Sequence, residues 1–290
     1  MKKLLILSSK GGTGKTTTAA AFIRFAGARA VADCDVDAPN LALVSGDYPE
    51  TRETDFKGSD KAKIDENLCI GCGKCAEMCR FGAISPAGDS KYAVDELRCE
   101  GCGLCTEVCP AGAARLEEDI AGSLRVRSGD GVFADAELRM GRGNSGKLVT
   151  EVKRALYAAA GEAELAIIDG SPGVGCPVMA SMNGVNLALI VTEPSVSGFG
   201  DMQRLVRTAV CVNRSDVSPE LSADIERWCA EQGVPFLGRV PFDRSAQRVI
   251  NEGRSVADMD CPARAALYDV FIKAMELLDI KMTDKETKKL

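Results

Sequence analysis

At 290 residues, with 46% hydrophobic residues and a net charge of −6, the chain can build a real core in one large or two smaller domains, and it is too acidic for a general nucleic-acid binder. It contains no histidine, so the usual general base, zinc ligand and haem ligand are missing, and chemistry must come from carboxylates, lysines, backbone amides, thiolates and bound metal. Thirteen cysteines in a chain without secretory features point to metal binding rather than disulfides.

Lys2-Lys3 and the four apolar residues after it mimic the start of a signal peptide, but the run stops at Ser8-Ser9-Lys10-Gly11-Gly12. No apolar run reaches membrane-spanning length, so a cytoplasmic protein with no membrane anchor is expected. Leu4 to Leu7 reads as a buried parallel strand and Thr17 to Phe25 as a helix. Between them lies S-S-K-G-G-T-G-K-T-T-T, Ser8 to Thr18, in the strand–turn–helix setting of a phosphate-binding loop. Gly11, Gly12 and Gly14 let the backbone approach a polyphosphate, with Thr13 and Thr17 in the same loop. The helix N-terminus adds positive potential, Lys15 can reach the β/γ-phosphates, and the Thr16 hydroxyl can hold Mg²⁺. Ser9 replaces the first glycine of the strict pattern, and Lys10 adds an early second lysine. The bland alternative is a glycine-rich turn that binds nothing.

Ala30 to Asp33 is a second expected strand, ending in D-C-D-V-D-A-P-N, Asp33 to Asn40; carboxylates at a parallel strand's carboxyl end face the ligand crevice. The polar stretch Gly46 to Lys63 has no clear period and reads as a linker into an inserted segment.

That segment carries an internal repeat. Cys69, Cys72, Cys75 and Cys79 are followed, thirty residues on, by Cys99, Cys102, Cys105 and Cys109, each set spaced C-x2-C-x2-C-x3-C. This is the bacterial two-cluster ferredoxin pattern, in which three thiolates of one loop face one cube and the fourth points to the other. Cys69, Cys72, Cys75 and Cys109 should hold one [4Fe–4S] cluster; Cys99, Cys102, Cys105 and Cys79 should hold the second. Arg80 stands where the pattern prefers the proline found at Pro110, and zinc knuckles are the competing structural reading.

Ser123 to Arg127 alternates and reads either as the insert's last strand or as a return to the main sheet. Asn144 to Ala160 is an expected helix capped by Asn144 or Ser145; its Ser145-Gly146-Lys147 lacks the upstream glycines of a second phosphate loop. Leu165 to Asp169 is a buried strand running into the glycine-rich loop G-S-P-G-V-G. Asn186 to Thr192, Ala209 to Asn213 and Pro235 to Val240 are further strands, with a helix from Ser197 to Val206. A last helix from Pro262 to Asp279 carries Leu267, Val270, Phe271, Ala274 and Leu278 at core-packing spacing, and the ending T-D-K-E-T-K-K-L is too polar for a membrane-targeting helix. Cys34, Cys211, Cys229 and Cys261 read mainly as core residues, and Cys176 as a buried or redox-active thiol.

The K-G-G-T-G-K-T-T loop resembles the deviant Walker A loop of the MinD/ParA family of dimeric ATPases, and with the cysteine repeat the whole chain resembles members of that superfamily that carry an inserted ferredoxin domain. The resemblance implies a mostly parallel α/β P-loop NTPase domain, 1–57 and 121–290, interrupted by an α+β bacterial-ferredoxin-like domain, 58–120. It implies ATP/ADP with Mg²⁺ as ligand, a homodimer on ATP binding in which Lys10 reaches the partner's nucleotide, Asp35 orienting the attacking water with Asp37 nearby, and Thr16, Asp35 and Asp169 around the metal. Asn213, Pro241 and Phe242 would recognise the base. Cys176 sits at the offset of a cluster ligand in the related nitrogenase iron protein, whose other ligand has no cysteine counterpart here. The implied function is ATP-gated transfer of electrons or clusters to a redox or metallocluster protein; a cluster-assembly carrier like the Mrp-type proteins and a positioning ATPase with structural clusters are the alternatives.

Overall fold

The computed structural model describes residues 1–46, 48–203 and 208–281. In chain order the first elements are β1 (Lys2–Leu7), α1 (Lys15–Ala26), β2 (Ala30–Asp33), α2 (Ala42–Ser45), β3 (Glu50–Lys57) and β4 (Lys61–Ile64). Then come α3 (Lys74–Met78), β5 (Ile84–Ala87), β6 (Lys91–Val94), α4 (Leu104–Val108), β7 (Ala114–Glu117), β8 (Ile120–Ser128) and β9 (Val132–Leu138). The remainder is α5 (Ser145–Ala159), β10 (Leu165–Asp169), α6 (Cys176–Met182), β11 (Leu187–Thr192), α7 (Val196–Met202), β12 (Ala209–Asn213), α8 (Pro219–Gln232), β13 (Phe236–Val240), α9 (Arg244–Asn251) and α10 (Pro262–Leu277). The expected α7 ended at Val206, which lies outside the described residues, as does the polar ending 283–290.

The chain divides into two compact units: Met1–Glu53 with Leu124–Glu137 and Ser145–Leu290, and Thr54–Ser123 with Leu138–Asn144. The main sheet has the order β13-β12-β11-β1-β10-β2-β9-β8-β3. β1, β2, β10, β11, β12, β13 and β9 pair in parallel. β1 is the hydrophobic centre, with Leu4 to Leu7 fully buried, as expected for a strand covered on both faces. α1 and α10 cover one face, and Phe22 meets Phe271 edge to face at 5.2 Å. On α5, the buried Lys153 caps α6 by donating to the carbonyls of Ala180, Ser181 and Asn183 at 2.6–2.9 Å.

The linker expected from Gly46 to Lys63 is corrected by the structure: most of it is strand, β3 followed by β4. β3 ends the sheet, and of its eight residues only Phe56 is buried. An edge strand with little to bury keeps a polar, charged sequence and loses the alternation that signals a strand. Ser123 to Arg127 belongs to β8 of the main sheet, and β9 is a strand that sequence reading left unassigned.

The second unit exchanges strands between its halves. β4, which opens the first half, pairs antiparallel with β7, which closes the second; β5 and β6 pair the same way.

Candidate functional site

The first unit gathers its polar groups at the carboxyl ends of the central strands. Ile6, Asp169 and Asp33 lie level across β1, β10 and β2, so the glycine loop after β1 and the carboxylates of its neighbours converge on the crevice where such sheets bind ligands. Gly12 and Gly14 adopt φ of 82° and 94°, a left-handed backbone open to glycine, and a Cβ at Gly14 would strike the Asn213 amide. The Lys15 ammonium donates to Asp169 Oδ1 at 2.8 Å and lies 3.7 Å from Asp35. The Thr16 hydroxyl donates to Asp169 Oδ2 at 2.7 Å. Burial alone would push Lys15 down; Asp169, then Asp35 and Asp33, outweigh it and hold the lysine above its ordinary pKa. Burial also raises Asp35, against the pull of Lys15.

Asp33 organises the loop that follows β2. Its carboxylate accepts from the backbone N–H of Asp35, Asn40 and Leu41 at 2.9–3.0 Å, closing the loop that presents Asp35. Burial, and then the Asp169 charge, pushes the Asp33 carboxyl above the usual range. The loops are stitched together: Gly173 N–H donates to the Ser8 carbonyl at 3.0 Å, and Ser171 Oγ donates to the Cys34 carbonyl at 2.6 Å. Lys10 is exposed at the mouth of the loop, and Asp37 is exposed beyond Asp35.

Asn213 Nδ2 donates to the Thr13 carbonyl at 2.8 Å. Asn213, Pro241 and Phe242 line a cavity of about 120 Å³ with Gly14 and Thr17, which places the three expected base-recognition residues beside the loop. Sequence reading missed Arg214 in the same wall, which pairs with Glu193 at 2.7 Å. It also missed Asp33 as the anchor of the loop after β2.

These residues fit a magnesium nucleotide. The Thr16 hydroxyl and the Asp35 and Asp169 carboxylates are the hard oxygen donors such a cation takes. The buried Ser8 and Ser9 hydroxyls have no partner among the described residues.

In the second unit, Cys79 joins Cys99, Cys102 and Cys105 around one cavity, although it comes from the other half. Of the complementary set, Cys69 and Cys109 lie near Cys75. Burial first, with the nearby Cys109 and Cys69 sulfurs, pushes the Cys75 thiol up, and Cys72 lies exposed on the same loop. Backbone N–H groups point at sulfur, among them Ala62 to Cys99 at 3.3 Å, Ala83 to Cys79 at 3.4 Å and Ala113 to Cys109 at 3.3 Å. Such bonds stabilise thiolate ligands. Among the described residues no three histidine, cysteine or acidic side chains converge closely enough for a single ion; a four-iron cube takes its thiolates at separated corners. Sequence reading gave no role to Arg142, which ties 138–144 to Glu96 at 2.9 Å and to Asp119 at 3.0 Å within this unit.

The fold and the two sites together define a P-loop protein that carries an iron–sulfur module. Residues 62–116 match the family described as a 4Fe-4S dicluster domain. An uncharacterized protein of Methanocaldococcus jannaschii is 32% identical over 95% of this chain and 97% of its own length. An iron-sulfur cluster carrier protein of the same organism is 27% identical over 42% of this chain and 49% of its own. Among solved structures, the septum site-determining protein MinD of Pyrococcus horikoshii, complexed with Mg-ADP, superposes with a TM-score of 0.54 at 18% identity, covering 96% of this chain and 97% of that one. The chain belongs to one family with the uncharacterized M. jannaschii protein; it has the fold of the MinD/ParA ATPases and carries a 4Fe-4S dicluster domain at 62–116. No helix among the described residues is long and apolar enough to cross a membrane.

Proposed function

We propose that this protein binds and hydrolyses ATP, and that nucleotide-dependent dimer closure gates the transfer of electrons or clusters to a partner protein. The observation that carries the proposal is one polypeptide in which Lys15, Thr16 and Asp169 meet at the glycine loop, Cys79, Cys99, Cys102 and Cys105 line one cavity, and Cys69 and Cys109 lie near Cys75.

Each residue has a part in the ATP reaction. Lys15 and the backbone amides of Gly11 to Thr17 bind and orient the phosphates. Thr16, Asp35 and Asp169 would hold Mg²⁺, which neutralises phosphate charge when bound. Asp35, steadied by Asp33, orients water toward the terminal phosphate, and Lys10, exposed at the loop mouth, reaches the partner's nucleotide. Asn213, Pro241 and Phe242 hold the base. The eight thiolates would hold two [4Fe–4S] clusters, whose one-electron chemistry is the output. We place the domain boundaries at 1–57, 58–120 and 121–290.

The direct test is phosphate release measured together with electron transfer to an added low-potential acceptor from anaerobic, iron-loaded protein whose clusters have first been reduced with dithionite and freed of the excess. Acceptor reduction should rise with ATP and fall when Lys10→Ala blocks closure; acceptor reduction indifferent to ATP contradicts gating. A second reading, a carrier that hands clusters on, draws support from the resemblance to the iron-sulfur cluster carrier proteins of M. jannaschii and Pyrococcus furiosus. It calls for ATP-dependent movement of iron into an apo-acceptor.

A further inference from the structure

The cysteine repeat equates Lys61 with Lys91, thirty residues apart like Cys69 and Cys99. Each lysine opens the first strand of its half, β4 or β6. Neither serves its own half. Lys61 Nζ donates to the carbonyl of Cys99, and Lys91 Nζ donates to the carbonyl of Cys69.

The surrounding backbone repeats the same crossing. A Cβ at Gly101 would strike the Asp60 carbonyl, and one at Gly71 would strike the Ser90 carbonyl. Both glycines have positive φ, 69° and 73°. The strand entrance of each half therefore lies across the cysteine loop of the other. On one side the grip reaches sulfur, because Ala62 N–H donates to Cys99 Sγ. Among the described residues no carboxylate forms an ion pair with either ammonium. Lys61 is 8% exposed and Lys91 is half-buried.

A cation in a poorly solvated site favours the more negative state of whatever lies beside it. Reduction adds one negative charge to an iron–sulfur cluster, and charge and hydrogen bonding around the sulfurs are known levers on its potential. We propose that Lys61 and Lys91 are positioning residues acting across the repeat. Lys61 fixes the first ligand loop of the cluster held by Cys79, Cys99, Cys102 and Cys105 and raises that cluster's reduction potential. Lys91 does the same for the cluster held by Cys69, Cys72, Cys75 and Cys109. The deeper burial of Lys61 gives it the larger effect, since solvent screens it less. The proposal rests on the two-cluster reading and is independent of any coupling to ATP.

The test is an EPR-monitored redox titration, with dithionite as reductant, of the full-length protein prepared anaerobically. Cys102→Ser and Cys72→Ser each perturb one cluster and so assign the two signals. Lys61→Met should shift the equilibrium of the Cys102-assigned cluster toward the oxidised form by about tenfold, which for one electron is about 59 mV, and leave the other cluster in place. Lys91→Met should shift the Cys72-assigned cluster by less. Lys61→Arg, which keeps the charge, should restore most of the shift. A shift on the cluster of the lysine's own half, equal shifts on both, or no shift on either overturns the proposal. If Lys61→Met retains only half the iron, full iron in Lys61→Arg supports it and equal loss in Lys61→Arg overturns it. Iron and sulfide below two cubes per chain in the unmutated protein sinks the two-cluster reading instead, which separates the two failures.

Discussion

The phosphate site and the cysteine module are built by opposite means. Lys15 meets Asp169 across 154 residues of chain, and Asn213 reaches Thr13 across 200. Nothing local fixes those meetings; the order of parallel strands does, by bringing the carboxyl ends of β1, β10, β2 and β12 to one side of the sheet. The cysteine module draws all eight repeat thiols from the single run Cys69 to Cys109, and tight glycine turns with a thirty-residue repeat do the positioning. A site made by topology tolerates loss of one contact poorly, because its residues share no local frame. A site made by repetition should fail one half at a time.

The sharpest way to break that contrast is Lys15→Ala. Loss of the phosphate-binding ammonium should lower ATP turnover by about a thousandfold, read as phosphate release, while iron content stays at the level of the unmutated protein. Loss of iron together with activity would mean that the units do not fold separately.

Cys79→Ser tests repetition next. Its thiol lies with Cys99, Cys102 and Cys105, so the substitution should halve the iron and remove the same EPR signal as Cys105→Ser. Loss of the signal assigned by Cys72→Ser would show that the ligands are not exchanged between halves.

Asn213→Ala removes the bond to the Thr13 carbonyl and one wall of the base cavity. The expected cost is about 1 kcal/mol, or roughly fivefold in nucleotide Kd, with discrimination between ATP and GTP reduced. An unchanged Kd in calorimetry would remove Asn213 from the site.

The smallest effect concerns thiols outside the module. Cys176 is exposed, whereas burial pushes Cys211 up to about 12 and Cys229 up to about 11. A maleimide pulse on native, cluster-loaded protein should label Cys176 and leave Cys34, Cys211 and Cys229 untouched. Fast labelling of Cys211 would contradict its place in the core.

The same contrast explains what could be read in the sequence. The glycine loop and both cysteine sets are short-range patterns, and β1, β2, β10 and β12 are continuous apolar runs ending in Asp, Asn or a glycine loop, so these were legible. β3 was not, because an edge strand with one buried residue carries no hydrophobic period. Asp33 is legible as an acidic strand end, but its grip on three backbone N–H groups depends on how the loop to Leu41 folds back. Arg142 and Arg214 act through partners far away in the chain, Glu96 and Asp119 for one and Glu193 for the other, and nothing in their neighbours marks them.

On the proposed function, nucleotide bound at Lys15 alters the iron–sulfur module of the same chain. The most direct test is the EPR spectrum and midpoint potential of the reduced clusters with and without Mg-ATP, in the unmutated protein and in Lys15→Ala. The expected result is a change in signal or potential on adding Mg-ATP that disappears in Lys15→Ala. Identical spectra and potentials in all four samples, with ATP binding verified, would contradict the claim and leave two independent modules on one backbone.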